Sequence, residues 1–554
     1  MKKYGIGIVC LALAFALGGC KDDEVWVDPQ LEVSEKVLTF DDVKTQTLAI
    51  KANGHWTAEA IKDSTEFIVS PSEGFGDGEV AITLSRTKAE AINGYLKITY
   101  TDGTDEGLEV AEGIKLKVSK MDMDVTPRSA MYSVSLNCTQ QKFRVHAAGK
   151  WTATLSGDTT WCQLDRSEGT NEGYVTVSLK VGKKPTNKKT ELIITPESEP
   201  RVKYAVDLKG QDGKYKYGEC VTLNKACKGK GIDIVAVGTF FTEEDLQAGG
   251  RFEEACQVFK EFVFILEPYK SYQEYFNVYA IPYFHEGNDV NLWGGVKDTV
   301  RSPFINLYPI KDVLNDQLKC KGLDEDKLAA IFKYAYENSP VKSEKGTFDE
   351  MMVANMLNSD YMFYGKTTEV NHTARNQKHG MAHASVPIFY FKDNREGGML
   401  LMGHELMGHG FAGFCENYYS GSETVSEEGK KHIETSQKEL GVFLNVSLTT
   451  NTAEMINRAW AEMLKMGYRC VDLVEGSQNM AFGIWRPSTR SVMGSGNLNT
   501  SDCYYNPVQR EVILRRIYKL AGTEDGYSFQ TFLDYDLNNE ENIRTDKILE
   551  EGLR

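Results

Sequence analysis

Residues 29 to 212 repeat themselves. Trp56-Thr57-Ala58 returns as Trp151-Thr152-Ala153, Ser72-Glu73-Gly74 as Ser167-Glu168-Gly169, and Gly78, Val80 and Leu84 as Gly173, Val175 and Leu179, always 95 residues later. A period that long, held across all of these landmarks, means a duplicated domain rather than a solenoid. Within each copy, alternating runs such as Val80-Ala81-Ile82-Thr83-Leu84 and Val175-Thr176-Val177-Ser178-Leu179 are strand-like and lie between Gly, Ser and Asn turns. Two all-β, immunoglobulin-like sandwiches are expected, at 29–120 and 121–212.

The Trp, the Ser-Glu-Gly turn and the strand after it resemble the BACON domain of Bacteroidota surface proteins. That family's name implies a glycan partner. The plainer reading makes the tryptophans core anchors and the pair of sandwiches a stalk, so that removing 29–212 should leave the rest of the chain working.

The N-terminus bears on location. Met1-Lys2-Lys3 precedes an apolar run, Ile6 to Leu17, too short to span a bilayer. It ends in Leu17-Gly18-Gly19-Cys20, which resembles a bacterial lipobox. Residues 1–19 are then a signal peptide, Cys20 the lipid-anchored first residue, and 20–28 a linker. Lys21-Asp22-Asp23-Glu24 resembles the acidic export tag of Bacteroidota surface lipoproteins, which implies the cell envelope, the outer membrane and its exposed face. No other long apolar segment follows. A net charge of −16 gives no sign of a nucleic-acid partner. With Cys10 and Cys20 set aside, nine of the 11 cysteines remain, an odd number, and none forms a C-x-x-C pair. Cys220 and Cys227 could bridge or stand as buried thiols.

From about Tyr215 the pattern changes. Ile232 to Gly238, Tyr275 to Ile281 and Val386 to Phe391 are strand-like, Thr242 stands as a helix N-cap before Glu243, Glu244 and Asp245, and Phe252 to Leu266 has helical periodicity. Alternating strand and helix make 213–554 an α/β (α+β) domain.

That domain carries His404-Glu405-Leu406-Met407-Gly408-His409 inside an otherwise apolar run. Two imidazoles and a carboxylate are what a zinc hydrolase requires: neutral ligands for the ion and a base for water. The usual spacing is H-E-x-x-H. Here the histidines are five apart, about 140° apart on a regular α-helix at ~100° per residue. A working site therefore demands a one-residue π-bulge, a feature concentrated at functional sites. A rival pair, His379 and His383, has i, i+4 spacing but no adjacent Glu; His285 sits in a polar loop.

The run His409-Gly410-Phe411-Ala412-Gly413-Phe414-Cys415-Glu416-Asn417-Tyr418 resembles the H-x-F-x-x-L-x-D-E-Y end of the IgA-peptidase-like metallopeptidase family. Other landmarks follow in order: Ile232–Gly238, Glu267-Pro268-Tyr269, Phe276-Asn277-Val278-Tyr279, Asn445 to Thr449, Trp460, Arg486-Pro487-Ser488, Ser491-Val492-Met493 and Asn506 to Glu511, together covering about 215–525. Bacteroidota members resemble H-E-x-x-G-H, with the same long spacing. The resemblance implies a zincin-like fold, zinc on His404, His409 and Glu416, and Glu405 as general base. Ser491-Val492-Met493-Gly494-Ser495 resembles the methionine turn that packs under the zinc of metzincins, and Tyr418, Tyr504 or Tyr505 could polarise the scissile carbonyl. Where the family has Asp-Glu-Tyr this chain has Glu416-Asn417-Tyr418. If the second acid were the ligand, Asn417 would cripple the site. The expected protein is a surface-anchored zinc metallopeptidase acting on protein or peptide. The alternative is an inactive relative serving as an adhesin or glycan-binding lipoprotein.

Overall fold

The computed structural model describes residues 28–102, 109–284, 300–304, 306–310, 317–320, 325–360, 382–389, 395–494 and 504–552. The leader, Cys20, His285 and His379 lie outside them; His383 falls on the described strand Ala382–Pro387. The chain forms two compact units, 1–121 and 122–554.

The first unit is a β-sandwich. A four-stranded sheet runs Leu31–Val33, Thr45–Ala52, Gly78–Leu84, Phe67–Ser70; a five-stranded sheet runs Val37–Thr39, Ala111–Val118, Ile92–Tyr100, His55–Lys62, Glu73–Phe75. Alternation along the strands sends Leu48, Ile50, Val80, Ile82, Leu96, Ile98, Ile114 and Leu116 inward. Trp56 is buried among them, and its indole N–H donates to the Gly76 carbonyl at 2.9 Å. A Cβ on Gly74 would lie 2.2 Å from the Trp56 ring, so the Ser-Glu-Gly turn needs its glycine to let the backbone cross the indole.

The second copy repeats this strand for strand. Met123–Thr126, Gln140–Ala147, Gly173–Leu179 and Cys162–Leu164 form the smaller sheet; Ser129–Tyr132, Tyr204–Gly210, Lys189–Pro196, Lys150–Gly157 and Glu168–Thr170 form the larger. Trp151 is buried against Gly169, where a Cβ would come within 2.1 Å of its ring, and donates to the Asn171 carbonyl at 3.2 Å. Both landmark tryptophans are core anchors.

This second sandwich belongs to the C-terminal unit rather than to a free stalk. Leu136 and Cys138 enter the same core as Val221, Leu223, Ile232 and Phe252. Ser135 Oγ donates to Glu253 Oε1 at 2.9 Å, and Lys142 pairs with Glu274 at 2.8 Å.

Beyond it lies a five-stranded sheet in the order Val221–Asn224, Phe276–Phe284, Ile232–Phe241, Met352–Leu357, Ala382–Pro387. The last four are mutually parallel and the first is antiparallel. Every residue of the central strand Ile232–Phe241 is buried. Ile234 and Ala236 pack on the helix Arg251–Val263. Val235 and Val237 pack on the helix Glu325–Glu337. A strand covered by helices on both faces is the α/β arrangement.

Two local expectations need correction. Thr242 closes a turn with Asp245 (Thr242 N–H to Asp245 Oδ2, 2.8 Å) that goes no further, and the helix begins at Arg251. The strand expected at Val386–Phe391 lies at Ala382–Pro387, where main-chain pairing with Met352–Leu357 sets its bounds. Met352–Leu357 itself escaped the sequence reading, since a run with one β-branched residue has little strand signature. Cys220 and Cys227 are free thiols. Among the described residues no helix is long and apolar enough to cross a membrane.

Candidate metal centre

The edge strand Ala382–Pro387 is followed by an α-helix, Arg395–Leu401, that passes without a break into a π-helix, Met402–Ala412. The expected single bulge is an 11-residue run. With i→i+5 hydrogen bonding, residues five apart sit one turn above each other, so His404 and His409 meet on one face. Gly413, at φ 67, ends the helix in the left-handed conformation that glycine adopts without strain. The chain then returns along the helix and delivers Glu416.

His404, His409 and Glu416 form a group able to hold a metal ion. The two Nε2 atoms are 3.1 Å apart. Glu416 reaches His404 Nε2 with Oε2 at 3.2 Å and His409 Nε2 with Oε1 at 3.3 Å. The other ring nitrogens are committed: His404 Nδ1 donates to the Val492 carbonyl at 2.8 Å and His409 Nδ1 to the Phe414 carbonyl at 2.7 Å. Carbonyls only accept, so each Nδ1 carries a proton, and the Nε2 atoms are the ones left to face a shared proton or a metal. Two Nε2 atoms and a carboxylate converge on one point, an arrangement that a shared proton or a bound cation stabilises.

The charge state agrees. Burial works against an imidazolium at His404, but the Glu416 carboxylate outweighs it and lifts the imidazole to about 9. Burial works against the Glu416 carboxylate too, yet the two histidines hold it well below the usual carboxylate range. A proton occupies the place that a metal would take. A tetrahedral ion with bonds of about 2.0–2.1 Å spaces its ligand atoms about 3.3–3.4 Å apart, close to all three separations. The donor set fits zinc.

The surroundings hold these groups in place. Met493 lies under the helix, and a Cβ on Gly408 would come within 2.4 Å of its sulfur, so the Gly of H-E-x-x-G-H is the residue that lets the methionine close in. The Met493 carbonyl accepts from Asn417 N–H at 2.7 Å. Asn417 is buried, and its side-chain oxygen accepts from Asn445 Nδ2 at 2.6 Å. Asn445 also bonds both backbone groups of Cys415, at 2.8 and 2.7 Å. Asn417 is therefore held through its side-chain oxygen by Asn445, while Glu416 is the one gathered with the histidines. Asn445 was noted in the sequence only through resemblance; nothing local reveals its bracing role.

Glu405 is half-buried beside His404, and its charge acts on that imidazole. Tyr418 is half-buried on the outgoing segment, where its carbonyl accepts from Asn479 N–H at 3.1 Å. The other tyrosine candidates are otherwise engaged: Tyr504 OH donates to the Arg490 carbonyl at 2.7 Å, and Tyr505, fully buried, donates to the Gly403 carbonyl. Neither faces the cluster as a free donor. Asn506 to Glu511 begins a helix, Pro507–Leu520, with a reciprocal Asn506–Gln509 cap. Gln509 and Asn506 brace Ser491 and Ser488 beneath the Met493 turn, at 3.3 and 3.0 Å. Arg510 is buried between Asp536 and Asp546, at 2.7 and 2.6 Å. These acids lie too far along the chain for sequence reading to have paired them.

No protein-family model matches the chain, and no curated protein matches it. Among solved structures, the chain is similar over 32% of its length to all of the periplasmic chaperone SfaE, at 10% identity and a TM-score of 0.15. It is similar over 33% of its length to 98% of the E. coli chaperone DraB, at 11% identity and a TM-score of 0.15. Domains 4–9 of the surface layer protein SbsC match 38% of this chain over 34% of their own, at 15% identity and a TM-score of 0.14. Likeness of this order says nothing about activity.

Proposed function

We propose that this chain is a zinc-dependent peptidase with a zincin-like catalytic domain, carried at the outer surface of a bacterial envelope by a lipid on Cys20. One observation carries the reading: the π register brings two imidazole Nε2 atoms and the Glu416 carboxylate to within 3.1–3.3 Å of one another, with both Nδ1 protons already committed. The IgA-peptidase-like resemblance supports the peptide substrate.

His404, His409 and Glu416 would hold the ion. Zinc bound there would supply a Lewis acid that polarises a carbonyl and acidifies water. Glu405 accepts a proton from the water that attacks the peptide carbonyl carbon, and passes it to the leaving nitrogen as the C–N bond breaks. Tyr418, two residues beyond Glu416, is assigned to steady the carbonyl oxygen.

Metal content tests this on the full chain purified without chelator. About one zinc per chain is expected, lost in His409→Ala, while Glu405→Gln keeps the metal and loses peptide hydrolysis. A wild-type chain that stays metal-free after zinc is added back overturns the reading in favour of an inactive relative.

A further inference from the structure

A π-helix is rare and ordinarily short, so an 11-residue run needs something to hold it. Two hydroxyls touch its backbone from beneath. Tyr269 OH donates to the Met407 carbonyl at 2.8 Å, and Tyr505 OH donates to the Gly403 carbonyl. Both tyrosines are 1% exposed. Their rings pack edge to face, 5.9 Å apart at 71°, and Tyr269 also meets Phe411 of the same helix at 5.4 Å. Burial pushes both phenols up, so both remain donors.

We propose that Tyr269 and Tyr505 are positioning residues that clamp the 402–412 helix in its π register and thereby set the spacing of His404 and His409. A helix carbonyl has two lone pairs, one for the ladder and one to spare, so each hydroxyl adds a bond without displacing one. Reverting to i→i+4 bonding would rewind Met407 relative to Gly403. Two rings locked against each other could not then meet both carbonyls. The anchors are themselves fixed. Tyr505 precedes the capped helix Pro507–Leu520, and its carbonyl accepts from Arg510 Nη1 at 2.6 Å. Tyr269 lies in the connection between the helix Arg251–Val263 and the strand Phe276–Phe284, a segment remote in sequence from the metal helix.

The consequence for metal rests on the zinc reading; the clamp itself does not. The test uses the full chain with Tyr269→Phe, Tyr505→Phe and the double variant, each of which keeps its ring. Three quantities are read: amide hydrogen exchange over 402–412 without metal, zinc affinity by chelator competition, and the visible spectrum with cobalt(II) in place of zinc. The double variant should retain its global melting transition, lose protection in 402–412, bind zinc about tenfold more weakly, on the scale by which groups behind metal ligands tune affinity, and show a shifted cobalt spectrum. Unchanged protection in the double variant overturns the clamp. If it does not fold, the single variants carry the same test. If wild type binds neither metal, the zinc reading fails, and hydrogen exchange still decides the clamp.

Discussion

The two sandwiches share one topology and one anchoring device, yet only the second is part of the C-terminal unit. Trp56 and Trp151 occupy equivalent places against equivalent glycines. In copy two, the stretch after the strand Ser129–Tyr132, Ser133 to Cys138, gathers around Asp212, with Ser133 Oγ to Asp212 Oδ1 at 2.6 Å, and puts Leu136 and Cys138 into the neighbouring core. A duplicated fold can thus be a separate module in one copy and a structural wall in the other, and its internal packing does not tell which. A stalk made of both copies is no longer the simplest arrangement.

The comparison is broken or sharpened by three experiments. The largest effect is expected from deletion. Removing 122–212 uncovers the apolar surface around Val221, Leu223 and Phe252, and the C-terminal part should lose cooperative unfolding or become insoluble. Removing 29–121 should leave its unfolding and metal uptake unchanged. Calorimetry on both truncations decides, and a well-folded 213–554 fragment would restore the stalk.

Next come the tryptophans. Trp56→Ala and Trp151→Ala should each cost about 3–5 kcal/mol in their own sandwich. Trp151→Ala should also lower the transition of the C-terminal unit, whereas Trp56→Ala should not. Equal spread from both variants would erase the distinction between the copies.

The smallest effect is one of pH. His404 is raised from its ordinary 6.5 to about 9 in the metal-free protein. A group raised on folding contributes stability that is whole below 6.5 and disappears as pH climbs through about 9. The metal-free C-terminal unit should therefore lose about 1 kcal/mol per pH unit across that window. His146, raised chiefly by Asp122 and further by Glu172 against the opposing effect of burial, adds in the same direction, so the measurement is made in His146→Gln. The first sandwich should stay flat there, since its displaced groups, Asp63 lowered from 3.8 and Lys88 raised from 10.5, titrate outside the window. Thermal melts of metal-free protein from pH 6.5 to 9 check this. A transition of the C-terminal unit independent of pH would mean that Glu416 does not hold a proton on His404.

Much of the site could be read from side-chain identity alone. His404, Glu405 and His409 announced themselves by type and spacing, and Glu416 by resemblance; the structure gathers the three proposed ligands. The strands Gly78–Leu84 and Gly173–Leu179 followed from alternation, and Ile232–Phe241 from a continuous apolar run. Met352–Leu357 did not, because its partner strands rather than its residue types make it a strand. Nor did the engagement of Tyr504 and Tyr505, since a tyrosine in sequence carries no sign of which carbonyl its hydroxyl will meet.

What the sequence determined by itself is local: the duplication, the turn glycines under the tryptophans, the donor atoms for a metal, and the need for an unusual helix if they are to meet. What only the tertiary structure decided is which copy of the sandwich is built into the C-terminal unit and whether the helix keeps its π register. Those depend on contacts between distant residues, such as Tyr269 with Met407, 138 positions on, and Tyr505 with Gly403, 102 positions back. A helix's hydrogen-bond register is a small energetic choice, and here buried groups brought in from elsewhere in the chain make it.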